Sequence, residues 1–167
     1  RSPFPLMKKV IFDTDIGIDD AMALLFLHHA PDVDLIAITT GFGNASVSDT
    51  TRNALYMKEL FNMSAAVYAG AAMPVGSALG EGYADFVHGK NGLGDIPLTT
   101  PMCEAEAMPA AEAIVELVRA NSHELSIVAV GRMTNLAMAL ALDPELPSLI
   151  KELIVMGGVF GYNGHRG

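Results

Sequence analysis

The chain has 167 residues, of which 51% are hydrophobic and 17% charged, so it is long enough to bury the core of one compact domain. Its formal net charge of −9 argues against nucleic-acid polymers and anionic membranes as partners, because both require basic surfaces. No apolar run approaches the roughly 20 residues of a membrane-spanning helix. The single cysteine, Cys103, excludes an internal disulfide and favours a reducing, cytoplasmic setting.

Residues 1–6 precede Met7, the expected initiator, and contain no apolar stretch of signal-peptide length. They are interpreted as a cloning remnant or a disordered tail. No internal repeat or interdomain linker divides the remainder, so residues 7–167 are predicted to form a single α/β domain.

Short apolar strands alternate with helices along this domain. Strands are predicted at residues 10–12, 35–40, 66–69, 125–130 and 153–156. Helices are predicted at 21–27, from a cap at Ser46 or Ser48 to about 61, at 108–119 and at 134–142. A helical turn is expected near 147–151, and a long loop over 70–101. The alternation predicts an α/β fold with an open, mostly parallel sheet and helices on both faces, which is Rossmann-like. Such sheets bind ligands beyond the carboxyl ends of their strands.

Four carboxylates lie within eight residues between the first strand and the first helix: Asp13, Asp15, Asp19 and Asp20. Two like charges about 4 Å apart repel by roughly 1 kcal/mol in water and by more in a cleft. Capping of the helix explains Asp19 or Asp20 alone, but not all four acids. Because carboxylate oxygens are preferred by calcium, magnesium and manganese, the cluster is interpreted as a divalent-cation site.

Six segments of the chain together resemble one enzyme family. Residues 13–24, DTDIGIDDAMAL, resemble the D-x-D-x-G-x-D-D-A signature of the inosine-uridine preferring nucleoside hydrolases. The later segments follow in the family's order: residues 37–44, 51–54, 87–94, 130–140 and 155–158. The resemblance implies a nucleoside hydrolase-like fold and a salvage enzyme that cleaves the N-glycosidic bond of ribonucleosides to a free base and ribose.

The resemblance also implies a calcium site. Asp15, Asp20 and the main-chain carbonyl of Val130 would bind Ca²⁺, which activates a water molecule, and Asp15 would take a proton from that water. Asp13 would support the cluster from beneath. Members of the family are about twice as long as this chain, so it is expected to be the amino-terminal half of such a domain, with an incomplete sheet and an open question over its activity.

Four further residues are assigned to the substrate through the same resemblance. Asp19 and Asn44 would hold ribose hydroxyls, and Met156 would lie against the sugar. His88, in the glycine-rich segment VHGKNGLG, would lie near the base or in a mobile flap. The expected partner is therefore a small ribonucleoside, and an exposed sheet edge would permit a homo-oligomer.

Two other functions are compatible with the sequence. A non-catalytic nucleoside- or ribose-binding module could keep the fold without turnover. A magnesium-dependent phosphatase of the haloacid dehalogenase type also carries Asp-x-Asp after a strand, but it requires Thr or Val where this chain has Gly17. Outside the acidic cluster, Thr134 and Asn135 are interpreted as helix caps, and Arg52 and Asn53 as solvated or lying behind the site.

Overall fold

The computed structural model describes residues 7–76, 78 and 82–158. In chain order the elements are β1 (Lys8–Thr14), α1 (Ile18–His29), β2 (Val33–Thr40), α2 (Val47–Leu60), β3 (Ala66–Ala69), α3 (Asp85–His88), α4 (Ala110–Ala120), β4 (Leu125–Ala129), α5 (Thr134–Leu142), α6 (Leu146–Leu149) and β5 (Glu152–Val155). Residues 1–6, which were interpreted as a remnant or a tail, lie outside the described part, and so do the last nine residues. None of the helices described has both the length and the apolar character needed to cross a bilayer.

Every strand and long helix expected from the sequence is present. β3 and α5 have the predicted bounds, and Ser46 caps α2 by accepting a hydrogen bond from the Asp49 N–H (3.1 Å). The helix α3 was not predicted, because four residues inside a glycine-rich loop are too few to show a helical period.

All five strands are parallel and lie in the order β3-β2-β1-β4-β5. The chain moves outward from β1 through β2 to β3, and then crosses to the other side of β1 to form β4. The carboxyl ends of β1 and β4 therefore form the topological switch point, where open α/β sheets bind their ligands. This arrangement confirms the predicted open parallel sheet.

Separate hydrophobic cores cover the two faces of the sheet. Since successive side chains of a strand point to opposite faces, Val10 and Phe12 join a core beneath α1 and α2, whereas Ile11 joins a core beneath α4, α5 and α6. Ile11 and Phe12 are completely buried, and full burial of such a side chain contributes about 1.5–3 kcal/mol. Packing on both faces fixes the end of β1, and with it the acidic turn that follows.

The outer strand β5 is exposed along its whole length. Among the described residues it pairs with β4 alone, and its apolar residues Leu153, Ile154 and Val155 remain between 39% and 49% exposed. Apolar edge strands with free backbone groups are prone to pair with another chain. The β5 edge is therefore where the expected contact of a homo-oligomer would form.

We expect this chain to self-associate through β5, and Ile154→Lys to shift it toward the monomer, because a charge on an edge strand opposes pairing. Sedimentation velocity across a dilution series measures this shift. Met22→Lys is the matched control, since Met22 is an equally apolar, 70% exposed residue on α1. A monomeric wild-type chain, or an equal response of the two variants, would contradict the prediction.

Candidate active site

The acidic turn lies at the switch point, immediately after β1. Ile16 anchors the turn in the core and is fully buried. Gly17 then passes between two side chains, since a Cβ atom there would lie 2.5 Å from Asn44 Nδ2 and 2.7 Å from His88 Nδ1. Glycine is therefore required for β1, the loop after β2 and the loop containing α3 to meet at one place.

Asp20 closes the acidic turn from the first turn of α1. Its carboxylate accepts hydrogen bonds from the Gly17 N–H (2.9 Å), the Thr14 hydroxyl (3.1 Å) and the Asn44 side-chain amide (3.0 Å). Burial raises the pKa of Asp20, and the neighbouring charge of Asp19 adds to this, whereas the bonds from Gly17 and Thr14 act in the opposite direction. Asp20 is thus a helix-capping residue and a buried charge at once.

Asp15 lies beside Asp20 and is only 7% exposed. Its Oδ2 accepts a hydrogen bond from the Asn44 backbone N–H (2.8 Å). Burial, followed by repulsion from Asp20, raises the pKa of Asp15 to about 6, although the Asn44 hydrogen bond and the Arg132 charge oppose this. The nearby positive charge is thus too weak to offset the burial of two carboxylates.

Asp13 lies in the sheet, two residues before Asp15, where a supporting group is expected. Its Oδ1 accepts hydrogen bonds from the Thr39 hydroxyl (2.6 Å) and the Asn135 amide (2.9 Å). Burial nevertheless raises the pKa of Asp13 to about 6. Asp13 belongs to the buried framework, and its supporting role stays a prediction.

The Val130–Gly131 turn, at the end of β4, packs directly against the acidic turn. The Val130 N–H donates to the Asp13 carbonyl (2.8 Å), and a Cβ atom on Gly131 would lie 3.0 Å from the Asp15 backbone nitrogen and 3.2 Å from its Oδ1. The main chain at Val130 is therefore adjacent to Asp15, although the two are more than a hundred residues apart in sequence.

The structure brings three of the four expected substrate residues close to the acidic turn. Asn44 binds both carboxylates, as described above. His88 accepts a hydrogen bond at Nδ1 from the Ile18 N–H (3.2 Å), and the same nitrogen lies 3.9 Å from Asp19 Oδ1. Asp19 is 72% exposed in its side chain, so it is free to meet a ligand. Their substrate roles stay predictions.

Met156 lies farther out along the same edge of the sheet. Its N–H donates to the Ala129 carbonyl (2.9 Å), which places Met156 next to the end of β4. The side chain is 63% exposed, so any contact with a sugar depends on a ligand lying across this edge.

The surroundings of two asparagines next to the site become clear only in the structure. Asn135 is not a helix cap, because Met133 holds that position and Asn135 is almost fully buried. Of the two environments predicted for Asn53, solvated or behind the site, the structure shows the second: Asn53 is completely buried and donates to the carbonyls of Asn91 (2.8 Å) and Ile16 (3.4 Å). Arg52 is partly buried and pairs with Asp49 (2.9 Å).

A sequence signal for Asn53 did exist. The buried residues of α2 recur at helical spacing as Thr50, Asn53, Ala54 and Met57, so this asparagine occupies an apolar stripe. A polar side chain on a core-facing stripe must find partners, because an unpaired buried amide costs about 1–3 kcal/mol. Asn53 finds them in the loop that carries His88, and it fastens this loop to the acidic turn.

Gly43 provides a test of how tightly the site is packed. A Cβ atom at this position would overlap Asp15 Oδ2, whereas a Cβ on Gly41 has its nearest neighbour at 3.6 Å. We expect Gly43→Ala to destabilise the protein by about 1–3 kcal/mol, the usual effect of overpacking, and Gly41→Ala to be close to neutral. Urea unfolding of both variants measures this, and equal free energies of unfolding would contradict the prediction.

The donor atoms around Asp15 suit a hard cation. They are oxygens, from the carboxylates of Asp15 and Asp20 and the nearby main chain at Val130, and such donors favour calcium, magnesium or manganese. Among the described residues no cluster of three or more His, Cys, Asp or Glu side chains could hold a metal ion. Calcium usually takes 6–8 oxygens, which is more than two carboxylates and one carbonyl provide.

The fold and the site define a doubly wound α/β protein with an acidic, oxygen-rich turn at its switch point. The family model "Inosine-uridine preferring nucleoside hydrolase" matches residues 10–167, so the chain belongs to this family. The match confirms the resemblance noted from the acidic signature, and it favours a nucleoside hydrolase over a haloacid dehalogenase-type phosphatase.

Individual relatives agree with the family match. Uridine nucleosidase 1 of Arabidopsis thaliana is 41% identical over 154 residues, which are 92% of this chain and 46% of that protein. A non-specific ribonucleoside hydrolase of Klebsiella pneumoniae is 38% identical over 152 residues, which are 91% of this chain and 49% of that protein. The chain thus spans about half the length of these relatives.

Solved structures show the same fold over the same extent. A plant nucleoside hydrolase superposes with a TM-score of 0.90 at 39% identity, over 95% of this chain and 50% of that one. The purine-preferring ribonucleoside hydrolase from Gardnerella vaginalis gives a TM-score of 0.87 at 34% identity, over 91% of this chain and 49% of that one.

Proposed function

We propose that this chain forms the cation-binding portion of a ribonucleoside hydrolase, which cleaves the N-glycosidic bond to a free base and ribose. One observation carries the proposal: two buried carboxylates, Asp15 and Asp20, share the switch point and both have raised pKa values. A divalent cation would offset their repulsion. The names of the relatives differ in the base that they mention, so the proposal stops at ribonucleosides.

Calcium is the cation that we propose, held by Asp15, Asp20 and the Val130 carbonyl. When bound, it supplies a Lewis acid that makes water at the site easier to deprotonate. Asp15 would receive that proton as the general base. Asp13 holds the turn from within the sheet.

The remaining residues are proposed to hold the substrate. Cleavage of the bond builds positive, oxocarbenium-like charge on the sugar, and the acidic turn stabilises this charge. Asp19 and Asn44 orient the ring through its hydroxyls, and Met156 lies against it. His88 lies near the base, on the loop that Asn53 fastens. A cytoplasmic role in nucleoside salvage is proposed from the reducing setting that the single cysteine favours.

A second candidate is a nucleoside-binding module without turnover. It is favoured by the side chains at the site, since the described residues contain no cluster of three or more His, Cys, Asp or Glu that could hold a metal ion. In this case the ligand contacts of the proposed site persist, but the bond is not cleaved.

Ribose release from inosine and uridine distinguishes the two candidates. The reducing sugar is measured with calcium present and with calcium chelated, beside Asp15→Asn as a control. Calcium-dependent release that is absent in the control supports a hydrolase. If no ribose is released, calorimetric titration with inosine decides: binding supports the module, and no binding by the folded chain contradicts both candidates.

A further inference from the structure

The side-chain amide of Asn135 joins the ends of three strands. Its Nδ2 donates to Asp13 Oδ1 (2.9 Å) and to the Thr40 carbonyl (2.9 Å), and its Oδ1 accepts from the Ala71 N–H (2.9 Å). Asp13 lies in β1, Thr40 ends β2, and Ala71 follows β3. Both N–H donors and the oxygen of this buried amide are therefore engaged, so Asn135 has a defined orientation.

Asp13 is held twice by the segment from residue 130 to 135. Its main-chain carbonyl accepts hydrogen bonds from the N–H groups of Val130 (2.8 Å) and Gly131 (3.4 Å), while its side chain accepts one from Asn135. These contacts form a closed ring of interactions between the end of β1 and the β4–α5 turn. The same turn carries Val130, the proposed main-chain ligand, and Gly131, whose Cβ position lies 3.0 Å from the Asp15 backbone nitrogen.

The surrounding chain leaves room for this amide. A Cβ atom on Gly70 would overlap Asn135, and a Cβ on Gly41 would approach its Nδ2 to 3.6 Å. Gly70 therefore leaves the space that the amide occupies, whereas Gly41 is at ordinary contact distance from it. These contacts are not those of a helix cap, since Met133 is the N-cap of α5 and Asn135 is the second residue of the helix.

We propose that Asn135 is a positioning residue for the cation site: it holds the β4–α5 turn against β1 and thereby keeps the Val130 carbonyl beside Asp15. The inference rests on the proposed function for the cation, but the position of the turn can be measured without any metal. Outer groups that orient metal ligands typically change metal affinity about 10–100-fold when they are removed.

The experiment compares Asn135→Ala with Leu136→Ala. Leu136 is the next residue of α5 and is also buried, but it packs in the hydrophobic core beneath the sheet. Two quantities are measured on each folded protein: amide hydrogen exchange at Val130 and Gly131 without metal, and the calcium Kd by calorimetry. Both variants are expected to melt earlier than the wild type, so melting temperature alone does not distinguish positioning from stability.

In Asn135→Ala we expect faster exchange at Val130 and Gly131, and a calcium Kd weakened about 10–100-fold. In Leu136→Ala we expect wild-type exchange at these amides and a Kd within about twofold of wild type, since the outer hydrogen bonds are kept. Thr39→Val provides a second control, because it removes the other donor to Asp13 Oδ1 without touching the turn. Asn135→Ser is used if the alanine variant does not fold.

Unchanged exchange at Val130 and Gly131 in the Asn135 variant would overturn the inference, as would an unchanged calcium Kd despite a loosened turn. Equal effects in Leu136→Ala would also overturn it, since they would show a general loss of stability. If the wild-type chain binds no calcium, the calcium assignment of the proposed function fails. In that case faster exchange confined to the Asn135 variant still supports its hold on the turn.

Discussion

Asp15→Asn is expected to raise the melting temperature of the calcium-free protein at neutral pH and to abolish its response to calcium. Burial and the charge of Asp20 raise the pKa of Asp15 from 3.8 to about 6, so the folded state disfavours the ionised carboxylate. Asparagine removes that charge and keeps an oxygen for the Asn44 N–H. A variant that merely disturbed packing would melt earlier both with and without calcium.

The size of the calcium response follows from mass action. A ligand at 100 times its Kd stabilises the folded state by about 2.7 kcal/mol, which corresponds to a rise in melting temperature of about 5–10 °C for a chain of this size. Differential scanning calorimetry with calcium and with a chelator measures this rise. Asp19→Asn removes an exposed charge from the same turn, and this control is expected to keep most of the response. A full calcium response in Asp15→Asn would contradict the assignment of Asp15 as a ligand.

Stabilisation by calcium is expected to shrink as the pH falls below about 6, because protons then compete with the cation for Asp15 and Asp20. The calcium-free protein is expected to behave in the opposite way. The folded pKa values of Asp13 and Asp15 are raised from 3.8 to about 6, so the stability that protonation contributes is fully present below 3.8 and is lost as the pH rises through 6.

Melting temperatures measured across this pH range, with calcium and with a chelator, test both trends. Asp13→Asn separates the buried framework from the cation site: it is expected to flatten part of the calcium-free profile and to leave the calcium response in place, because its oxygen can still accept from Thr39 and Asn135. A calcium response that is independent of pH, or larger in acid, would contradict the prediction.

The acidic turn illustrates why a functional site is destabilising when it stands alone. Asp15 and Asp20 receive hydrogen bonds from Asn44, Thr14 and Gly17, but these bonds do not outweigh burial, and both pKa values remain above the ordinary value. The well-paired Asp143 provides a contrast, since the guanidinium of Arg119 lowers its pKa. The difference lies in the positive charge: Arg119 pairs directly with Asp143, whereas the charge of Arg132 offsets only part of the burial of Asp15.

The sequence by itself determined the order of the elements and the location of the acids. Apolar runs such as residues 66–69 and helix formers such as those of α5 act locally, so their bounds could be predicted without any neighbour. Asp15 and Asp20 could be assigned to one acidic cluster in advance, because only four residues of one turn lie between them. The alternation of strands and helices predicted the parallel sheet. The location of the site at the carboxyl edge of that sheet was then expected as well.

Only the tertiary structure decided what surrounds the acids. When each helix is considered alone, Asn135 is interpreted as a cap, and Asn53 is either solvated or behind the site. Both are buried through contacts with distant loops. Val130 becomes a neighbour of Asp15 only because β4 crosses to the far side of β1. Local propensity does not predict such contacts. Whether a polar side chain can be buried depends on the hydrogen-bond partners that the complete fold brings to it.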